Sequence, residues 1–213
     1  MAKSRPTIDP QKHQRILDAA MHEFARLGFR DAKTDHIAEA ADVSKGLLFN
    51  YFGSKANLYV TTVQATYTKI TQAADMSVWQ DAKDLSTMLT RALRYKIQLQ
   101  LTYPDEFALA MAAYAEVGSL PAKLRPKVQA IWENTLQQSV PEMVTPVLNR
   151  LPLRDGISTT TVANMILMVS ELIGQQAKVM IRQDPQIKIE AFDPVIAQAK
   201  QYMAILEHGF LKD

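Results

Sequence analysis

Residues 34–55, TDHIAEAADVSKGLLFNYFGSK, predict two short helices joined by a tight turn and followed at once by a third helix. Thr34 is a candidate N-cap for the first of these helices, because a threonine hydroxyl can accept a free amide of the first turn. Ile37, Ala38 and Ala41 recur at helical spacing. The pattern therefore predicts a short helix that buries one face.

The second short helix has clear end signals. Ser44 is its candidate N-cap, and Val43 and Leu48 have the spacing of a hydrophobic staple, which fixes the angle at which the chain enters a helix. Gly53 can end the helix in a left-handed conformation, and Ser54 can cap the helix that follows. Two helices joined in this way can place the second one in the major groove of DNA. The same spacing also fits a capped helical hairpin inside an all-α core.

The outer side of the second helix carries groups that suit base edges and phosphates, with little bulk near its start. These residues are Ser44, Lys45, Gly46, Leu47, Asn50 and Tyr51. Gly46 weakens a helix, yet it allows close approach of a partner, which is either DNA or the preceding helix.

The motif resembles the DNA-binding domain of the TetR (tetracycline-repressor-like) family of transcriptional regulators. The residues that carry the resemblance are Ile37, Ala38, Val43, Ser44, Gly46, Leu48, Phe49, Tyr51, Phe52, Ser54, Lys55 and Leu58. It extends back through a first helix, QKHQRILDAAMHEFARLGF at 11–29, and covers about residues 9–59. Beyond that range the resemblance is architectural only.

The resemblance implies which side chains contact DNA. Phosphate contacts fall on Thr34, Tyr51 and Lys55. Base contacts fall on Lys45 and Gly46, with Ser44, Leu47 and Asn50 alongside.

The chain departs from the family pattern at two DNA-facing positions. Phe49 replaces the commoner tyrosine and removes a hydroxyl that could reach a phosphate. Asp35 places an acid beside Thr34. Its carboxylate would repel phosphate unless it turns away or accepts a hydrogen bond from a base amino group.

Composition favours an all-α globular protein. Of the 213 residues, 47% are hydrophobic and 22% charged, and only seven are glycine. No alternating Val/Ile/Thr stretch predicts a strand. We expect a helix-turn-helix DNA-binding domain at 1–56 and a helical effector-binding and dimerisation domain at 57–213.

Cysteine usage and the termini bear on location. The chain has no cysteine, so it has neither disulfides nor a thiolate metal site. The start, MAKSRPTIDP, lacks the apolar core of a signal peptide, and no apolar run is long enough to span a bilayer. The sequence predicts a cytoplasmic protein without a membrane segment.

The net charge of +2 is placed unevenly. Nine Lys/Arg residues face seven acids within residues 1–55, whereas the two signs balance over the rest of the chain. Lys3 and Arg5 form either a flexible arm on DNA or a solvated tail. DNA binding through this excess should weaken as salt rises, because bound counterions are released.

The helices around the motif can be placed from caps and apolar spacing. The first begins at Asp9 and Pro10 and ends near Gly28, and a longer one runs from Lys55 toward Trp79. Five more are predicted at 84–101, 104–115, 121–150, 158–182 and 193–210. Pro141 and Pro146 lie inside the 121–150 segment, and because each removes a helical hydrogen bond, that segment should kink or divide at one of them.

The last two predicted helices each carry a long apolar stripe. In TetR-like regulators the corresponding helices form a four-helix bundle across a two-fold axis, so the resemblance implies a homodimer on a palindromic operator. The residues assigned to that interface are Met165, Val169, Leu172, Ile173, Val195, Ala199, Tyr202 and Leu206. The alternative is that both stripes are buried within one chain.

The middle of the chain mixes methionine with aromatic residues, which suits an adaptable apolar pocket. The candidates are Met88, Tyr95, Phe107, Met111, Tyr114, Trp132 and Met143. Plain core packing would produce the same pattern. The resemblance implies a small hydrophobic or amphipathic effector, while the alternative is a DNA-binding regulator whose second domain only dimerises.

Enzyme motifs are missing from the sequence. The four histidines are scattered and form neither an HExxH zinc site nor a Glu-x-x-His pair, and no glycine-rich phosphate loop is present. We therefore expect no catalysis, no metal and no cofactor.

Overall fold

The computed structural model describes residues 9–115, 117–184 and 187–210. Within these ranges the chain is helical and has no strand, which confirms the predicted all-α class. The helices are α1 (Pro10–Asp31), α2 (Thr34–Ala40), α3 (Lys45–Phe52), α4 (Lys55–Ala73), α5 (Ser77–Gln80), α6 (Leu85–Thr102), α7 (Pro104–Ala115), α8 (Arg125–Leu148), α9 (Thr159–Gln183) and α10 (Asp193–Phe210). Lys3 and Arg5, the predicted arm, lie outside the described residues.

Local signals explain why most helices begin and end where the sequence predicts. The Asp9 carboxylate accepts the Gln11 and Lys12 amides at the start of α1, and Pro10 occupies its first position. Gly28 has a positive φ of 68° and interrupts α1, so the regular helix ends there as predicted. One further turn then continues to Asp31.

Two predicted helix ends are wrong. The helix from Lys55 stops at Ala73, and Trp79 belongs to the separate helix α5. The Asp75 carboxylate accepts both the amide and the hydroxyl of Ser77, which starts the new helix without any Gly or Pro to mark the break. The second error concerns the helix predicted at 121–150, because α8 begins only at Arg125. It is a single helix, so the predicted division at Pro141 or Pro146 does not occur.

The helices group into two compact units. The first comprises the described residues up to 73 together with 103–136, and the second comprises those of 74–102 and 137–213. The motif of α2 and α3 thus shares a unit with α7 and the first half of α8. A functional boundary at residue 56 stays a prediction.

The first unit has one apolar core that holds α3 in place. The predicted stripe on α1, including Ile16 and Phe24, packs with Ile37 of α2 and Leu48 of α3, and all four side chains are fully buried. Tyr59 of α4 meets the Phe24 ring edge to face at 4.9 Å. The position of α3 therefore depends on both α1 and α4.

The second unit has its own core, built from α5, α6, the end of α8, α9 and α10. Leu85, Ile173, Phe192 and Met203 are fully buried in it. None of the helices in the described residues is long and apolar enough to cross a membrane.

Candidate nucleic-acid interface

The start of α2 is held by a contact that the sequence did not predict. Its N-cap is Lys33, which makes no side-chain cap, and Thr34 is the first helical residue, so the predicted Thr34 cap is wrong by one position. Glu23 of α1 holds the chain just before the helix, because its Oε1 accepts a hydrogen bond from the Lys33 amide at 3.1 Å. The same oxygen lies 3.2 Å from Nδ1 of His36. The sequence feature that could have indicated this contact is a glutamate adjacent to Phe24, within the apolar stripe of α1.

Glu23 ties α1 to α2 as a buried carboxylate. Burial acts to raise its pKa, but hydrogen bonds from the Lys33 amide and from the Arg26 and His36 side chains outweigh burial. The pKa of Glu23 is therefore held below its ordinary value, and the carboxylate stays charged at neutral pH.

The turn between α2 and α3 is fixed by backbone and side-chain contacts. Asp42 has a positive φ of 52°, and the Val43 amide donates to the Ala38 carbonyl at 3.0 Å. Nε of Arg15, a residue the sequence did not single out, donates to the Ala41 carbonyl at 3.0 Å. The turn is thereby tied to α1.

Helix α3 begins and ends as predicted. The Ser44 hydroxyl accepts the Leu47 amide at 3.1 Å, and Gly53 ends the helix with a positive φ of 76°. Leu48 is fully buried, and Val43 packs against the same core, as the staple requires.

The outer face of α3 is largely exposed among the described residues. Ser44, Lys45, Gly46 and Asn50 are exposed, while Leu47 and Phe49 are half-buried. A Cβ added at Gly46 would meet only the Ser44 hydroxyl, at 3.9 Å. Packing against α2 therefore does not explain this glycine.

The acid at position 35 has a partner on α3. Nζ of Lys45 lies 2.7 Å from Oδ1 of Asp35, and both side chains are more than half exposed. The Asp35 carboxylate is thus exposed and paired with a lysine of α3. Thr34, beside it, is half-buried.

Tyr51 is half-buried, and its hydroxyl has a hydrogen-bond partner within the described part of the chain. The Tyr51 oxygen accepts the Asp9 amide at 3.0 Å. Because a phenol can accept and donate at once, its proton is available to a phosphate. The contact also ties the end of α3 to the start of α1.

Lys55 has structural contacts at the start of α4. Its Nζ donates to the Arg30 carbonyl at 3.0 Å and lies 5.2 Å from the centre of the Phe29 ring. Burial lowers the pKa of Lys55, while the nearby acids Asp31 and Glu23 act in the opposite direction. The ammonium keeps two further hydrogens for another acceptor.

The residues predicted to line an effector pocket are divided between the two units. Four belong to the first unit, namely Phe107, Met111, Tyr114 and Trp132, and three to the second, namely Met88, Tyr95 and Met143. Met88 is a core residue, and the Tyr95 hydroxyl accepts the Asp75 amide at 2.9 Å.

One cavity in the first unit includes two of the predicted pocket residues. Tyr114 and Trp132 stack with ring centres 4.6 Å apart beside a cavity of about 300 Å³. Its other lining residues are Tyr67, Ala113, Val117, Val128 and Gln129. The Tyr67 hydroxyl donates to the Ala110 carbonyl at 3.1 Å, and burial raises the pKa of this phenol. The lining is thus aromatic and aliphatic with a single amide.

The predicted dimer residues do not all lie on the surface. Ile173 and Ala199 are fully buried in the core of the second unit, so assigning them to an interface is corrected: they pack within one chain. Leu172 is exposed, and Met165, Val169, Val195, Tyr202 and Leu206 are half-buried. The most exposed apolar residues of these helices are Met168, Val179 and Ile205, which sequence reasoning passed over. Apolar periodicity cannot distinguish the buried side of such a stripe from its exposed side.

The described residues contain no group of three or more His, Cys, Asp or Glu side chains that could hold a metal ion.

Residues 16–61 match the model for bacterial regulatory proteins of the tetR family. Over 88 residues the chain is 35% identical to the transcriptional repressor SCO4008 of Streptomyces coelicolor, a match that covers 41% of this chain and 44% of that protein. It is 27% identical over 175 residues to the repressor KstR of Rhodococcus jostii, covering 76% and 82% of the two chains. The match thus spans less than half of the first relative and most of the second.

The fold is also that of a solved regulator. The crystal structure of the transcriptional regulator FadR from Bacillus subtilis, in complex with stearoyl-CoA, superposes with a TM-score of 0.62 at 18% identity and covers 88% of this chain and 97% of that one. The relatives are named as transcriptional regulators, in agreement with the expectation that the chain is not an enzyme.

Proposed function

We propose that this chain, whose residues 16–61 match the model for bacterial regulatory proteins of the tetR family, is a cytoplasmic transcriptional repressor of that family that binds DNA. The observation that carries the proposal is the outer face of α3, where polar side chains surround a glycine that no protein neighbour requires. A helix held firmly on one side and open on the other suits insertion into the major groove.

The proposed contacts with DNA are those that the resemblance to the TetR family implies. Lys45 and Gly46 face the bases, with Ser44, Leu47 and Asn50 beside them. Thr34, Tyr51 and Lys55 bind phosphates, and Phe49 contributes no hydroxyl. Asp35 belongs to the same surface through its ion pair with Lys45.

A homodimer presents two copies of α3 to a palindromic operator. The exposed apolar side chains of α9 and α10 support this assembly, because water-facing methionine, valine and isoleucine on adjacent helices favour burial against a partner. They are Met168, Leu172, Val179 and Ile205.

A small apolar or amphipathic effector releases the operator. The aromatic cavity beside Tyr114 and Trp132 supports this part of the proposal, and the related FadR fold was solved with stearoyl-CoA. The alternative is a regulator whose second unit only dimerises.

The proposal is tested by selecting fragments of the host genome with the purified full-length protein. We expect a small set of fragments that share a palindromic motif, bound less tightly as salt rises. Asn50→Ala should weaken their retention, while Gln98→Ala, an exposed change on α6, should not. Equal retention of all fragments would exclude the proposed function.

A further inference from the structure

We infer that Asp35 and Lys45 act together to select a G·C base pair in each half of the operator, an inference that rests on the proposed function. The two residues lie on different helices, α2 and α3, and meet at 2.7 Å between Oδ1 and Nζ. Their side chains are 64% and 54% exposed, so the pair faces outward on the surface that carries Gly46.

A carboxylate on this surface has a cost that needs an explanation. Asp35 adjoins Thr34, a proposed phosphate contact, and its negative charge opposes the phosphates of every DNA sequence. An exposed ion pair contributes little to folding stability, so the fold does not require the acid. The cost is offset only where the carboxylate also accepts a hydrogen bond from DNA, and the groove offers amino groups on cytosine and adenine.

The ammonium of Lys45 favours a G·C pair over an A·T pair. Lysine binds best to guanine, whose O6 and N7 are adjacent acceptors, and aspartate binds the N4 amino group of cytosine. In a G·C pair O6 and N4 are themselves hydrogen-bonded, at roughly 2.9 Å. That separation matches the 2.7 Å between Nζ of Lys45 and Oδ1 of Asp35. In an A·T pair the adenine amino group lies between two acceptors, N7 of adenine and O4 of thymine. This donor would oppose the ammonium of Lys45.

The pair therefore complements the edge of one G·C base pair, with Lys45 toward guanine and Asp35 toward cytosine. Gly46 follows Lys45 directly and leaves room for the backbone to approach the bases. The acid is thus a specificity-determining residue, which lowers affinity for most sequences and preserves it for one base pair.

The test is selection from random DNA with the full-length wild-type protein and three variants. Asp35→Asn removes the charge and substitutes an amide, which prefers adenine. Lys45→Met removes the ammonium and keeps the stem. Glu39→Gln removes an exposed acid one turn further along α2 and is the charge-matched control.

We expect the wild type to select a motif with one strongly preferred G·C position in each half. Asp35→Asn should shift that position toward A·T and raise affinity for random DNA, so that the preference for the G·C operator falls about tenfold. Lys45→Met should lose the preference without gaining A·T. Glu39→Gln should change affinity for all sequences alike. Replacing the guanine by 7-deazaguanine should weaken the wild type but not Lys45→Met.

Two results would overturn the inference in different ways. If Asp35→Asn and Lys45→Met select the wild-type motif unchanged, the ion pair is only a solvated surface contact, and the proposed function stands. If the wild type selects no motif at all, the proposed function fails and this inference fails with it.

Discussion

At the scale of single residues, Gly46 separates stability from DNA binding. Alanine is a better helix former than glycine by up to about 1 kcal/mol, and a Cβ fits the free protein because it meets only the Ser44 hydroxyl. Gly46→Ala should therefore raise the free energy of unfolding yet weaken operator binding by about 1 kcal/mol or more, as an extra methyl is forced into a close contact.

Denaturant unfolding and fluorescence anisotropy measure the two effects on the same sample. Gly118→Ala is the matched control, because an added Cβ there meets nothing within 4 Å and lies far from the motif in sequence. Tighter operator binding by Gly46→Ala would show that the DNA backbone and bases do not approach this position.

Lys55 combines a structural contact with a proposed phosphate contact. Lys55→Ala removes the hydrogen bond to the Arg30 carbonyl and the contact with the Phe29 ring, which should lower the free energy of unfolding by about 1 kcal/mol. If the ammonium also binds a phosphate, the slope of log K against log salt should fall by about 1. A loss of stability with an unchanged slope would leave Lys55 a purely structural role.

Single residues also show which contacts can be predicted from the sequence and which cannot. Caps such as Asp9 and Ser44 act on amides two or three positions away, so sequence spacing predicts them. The contacts of Glu23 with Lys33 and of Lys45 with Asp35 join separate helices. The geometry of these two contacts depends on how the helices pack against each other. Sequence spacing therefore does not predict them.

At the scale of helices, Glu23 controls how α2 joins α1. Because its pKa is lowered in the folded state, the carboxylate stabilises the fold above the ordinary glutamate pKa of 4.5. That contribution is lost as pH falls through the lower folded value. Glu23→Gln should cost about 2 kcal/mol at pH 7, as charged hydrogen bonds are replaced by neutral ones.

The check is the free energy of unfolding of wild type and Glu23→Gln from pH 7 down to pH 3. The difference between them should be constant at first and shrink below about pH 4.5, the ordinary value. Glu39→Gln, an exposed change on α2, should show no such trend. A constant difference over the whole range would mean that the Glu23 charge does not stabilise the junction.

Helix ends were predictable where a cap, a proline or a glycine marks them, and the errors fall where none does. The break at Asp75 depends on an aspartate bonded two residues ahead, a contact that many non-terminal aspartates also make. In α8 the opposite holds, since two prolines suggested a division that the helix does not have. Surrounding contacts can hold a helix together across a proline, and the local sequence does not record them.

At the scale of the whole molecule, the exposed side chains of α9 and α10 predict how the assembly can be broken. Met168 and Ile205 are 73% and 70% exposed, and a charge at either position should oppose burial against a second copy. Ile205→Glu should therefore give monomers that keep their helical content, and operator affinity should fall because one α3 contacts one half-site.

Analytical ultracentrifugation gives the assembly state, and anisotropy with half-site and full-site DNA gives the affinity. Gln98→Glu places the same charge on an exposed position of α6 and should remain a dimer. A dimeric Ile205→Glu protein would move the interface away from this part of α10.

The grouping of helices was the part of the architecture that the sequence did not predict. Helix α7 joins the DNA-binding helices through contacts between distant residues, such as His22 with Asp105 at 2.5 Å and Lys69 with Glu106 at 2.6 Å. Periodicity locates each helix but contains no information on such pairs. Consequently a cavity predicted from composition to belong to a separate effector domain lies within the unit that holds α3.

This placement makes effector binding at the Tyr114 and Trp132 cavity testable. A ligand there contacts α4 through Tyr67, and α4 begins at Lys55 and packs against α1. A shift of α4 would move α3 and lower operator affinity, with a coupling of roughly 5- to 150-fold in most such systems. Trp79 and Trp132 are the two tryptophans of the chain, so Trp79→Phe leaves Trp132 as the only indole reporter.

We expect an acyl-chain compound or another amphipathic ligand to change the Trp132 fluorescence of Trp79→Phe, to raise its thermal midpoint and to release the operator over one concentration range. Tyr114→Ala, which removes one of the two stacked rings from the lining at a position that is 40% exposed, should weaken all three responses and retain operator binding. A ligand that raises the midpoint without altering Trp132 fluorescence binds elsewhere in the chain. If no ligand of a broad panel gives any of these responses, the result favours a regulator without an effector. The cavity of about 300 Å³ beside the stacked rings would then be only a feature of core packing.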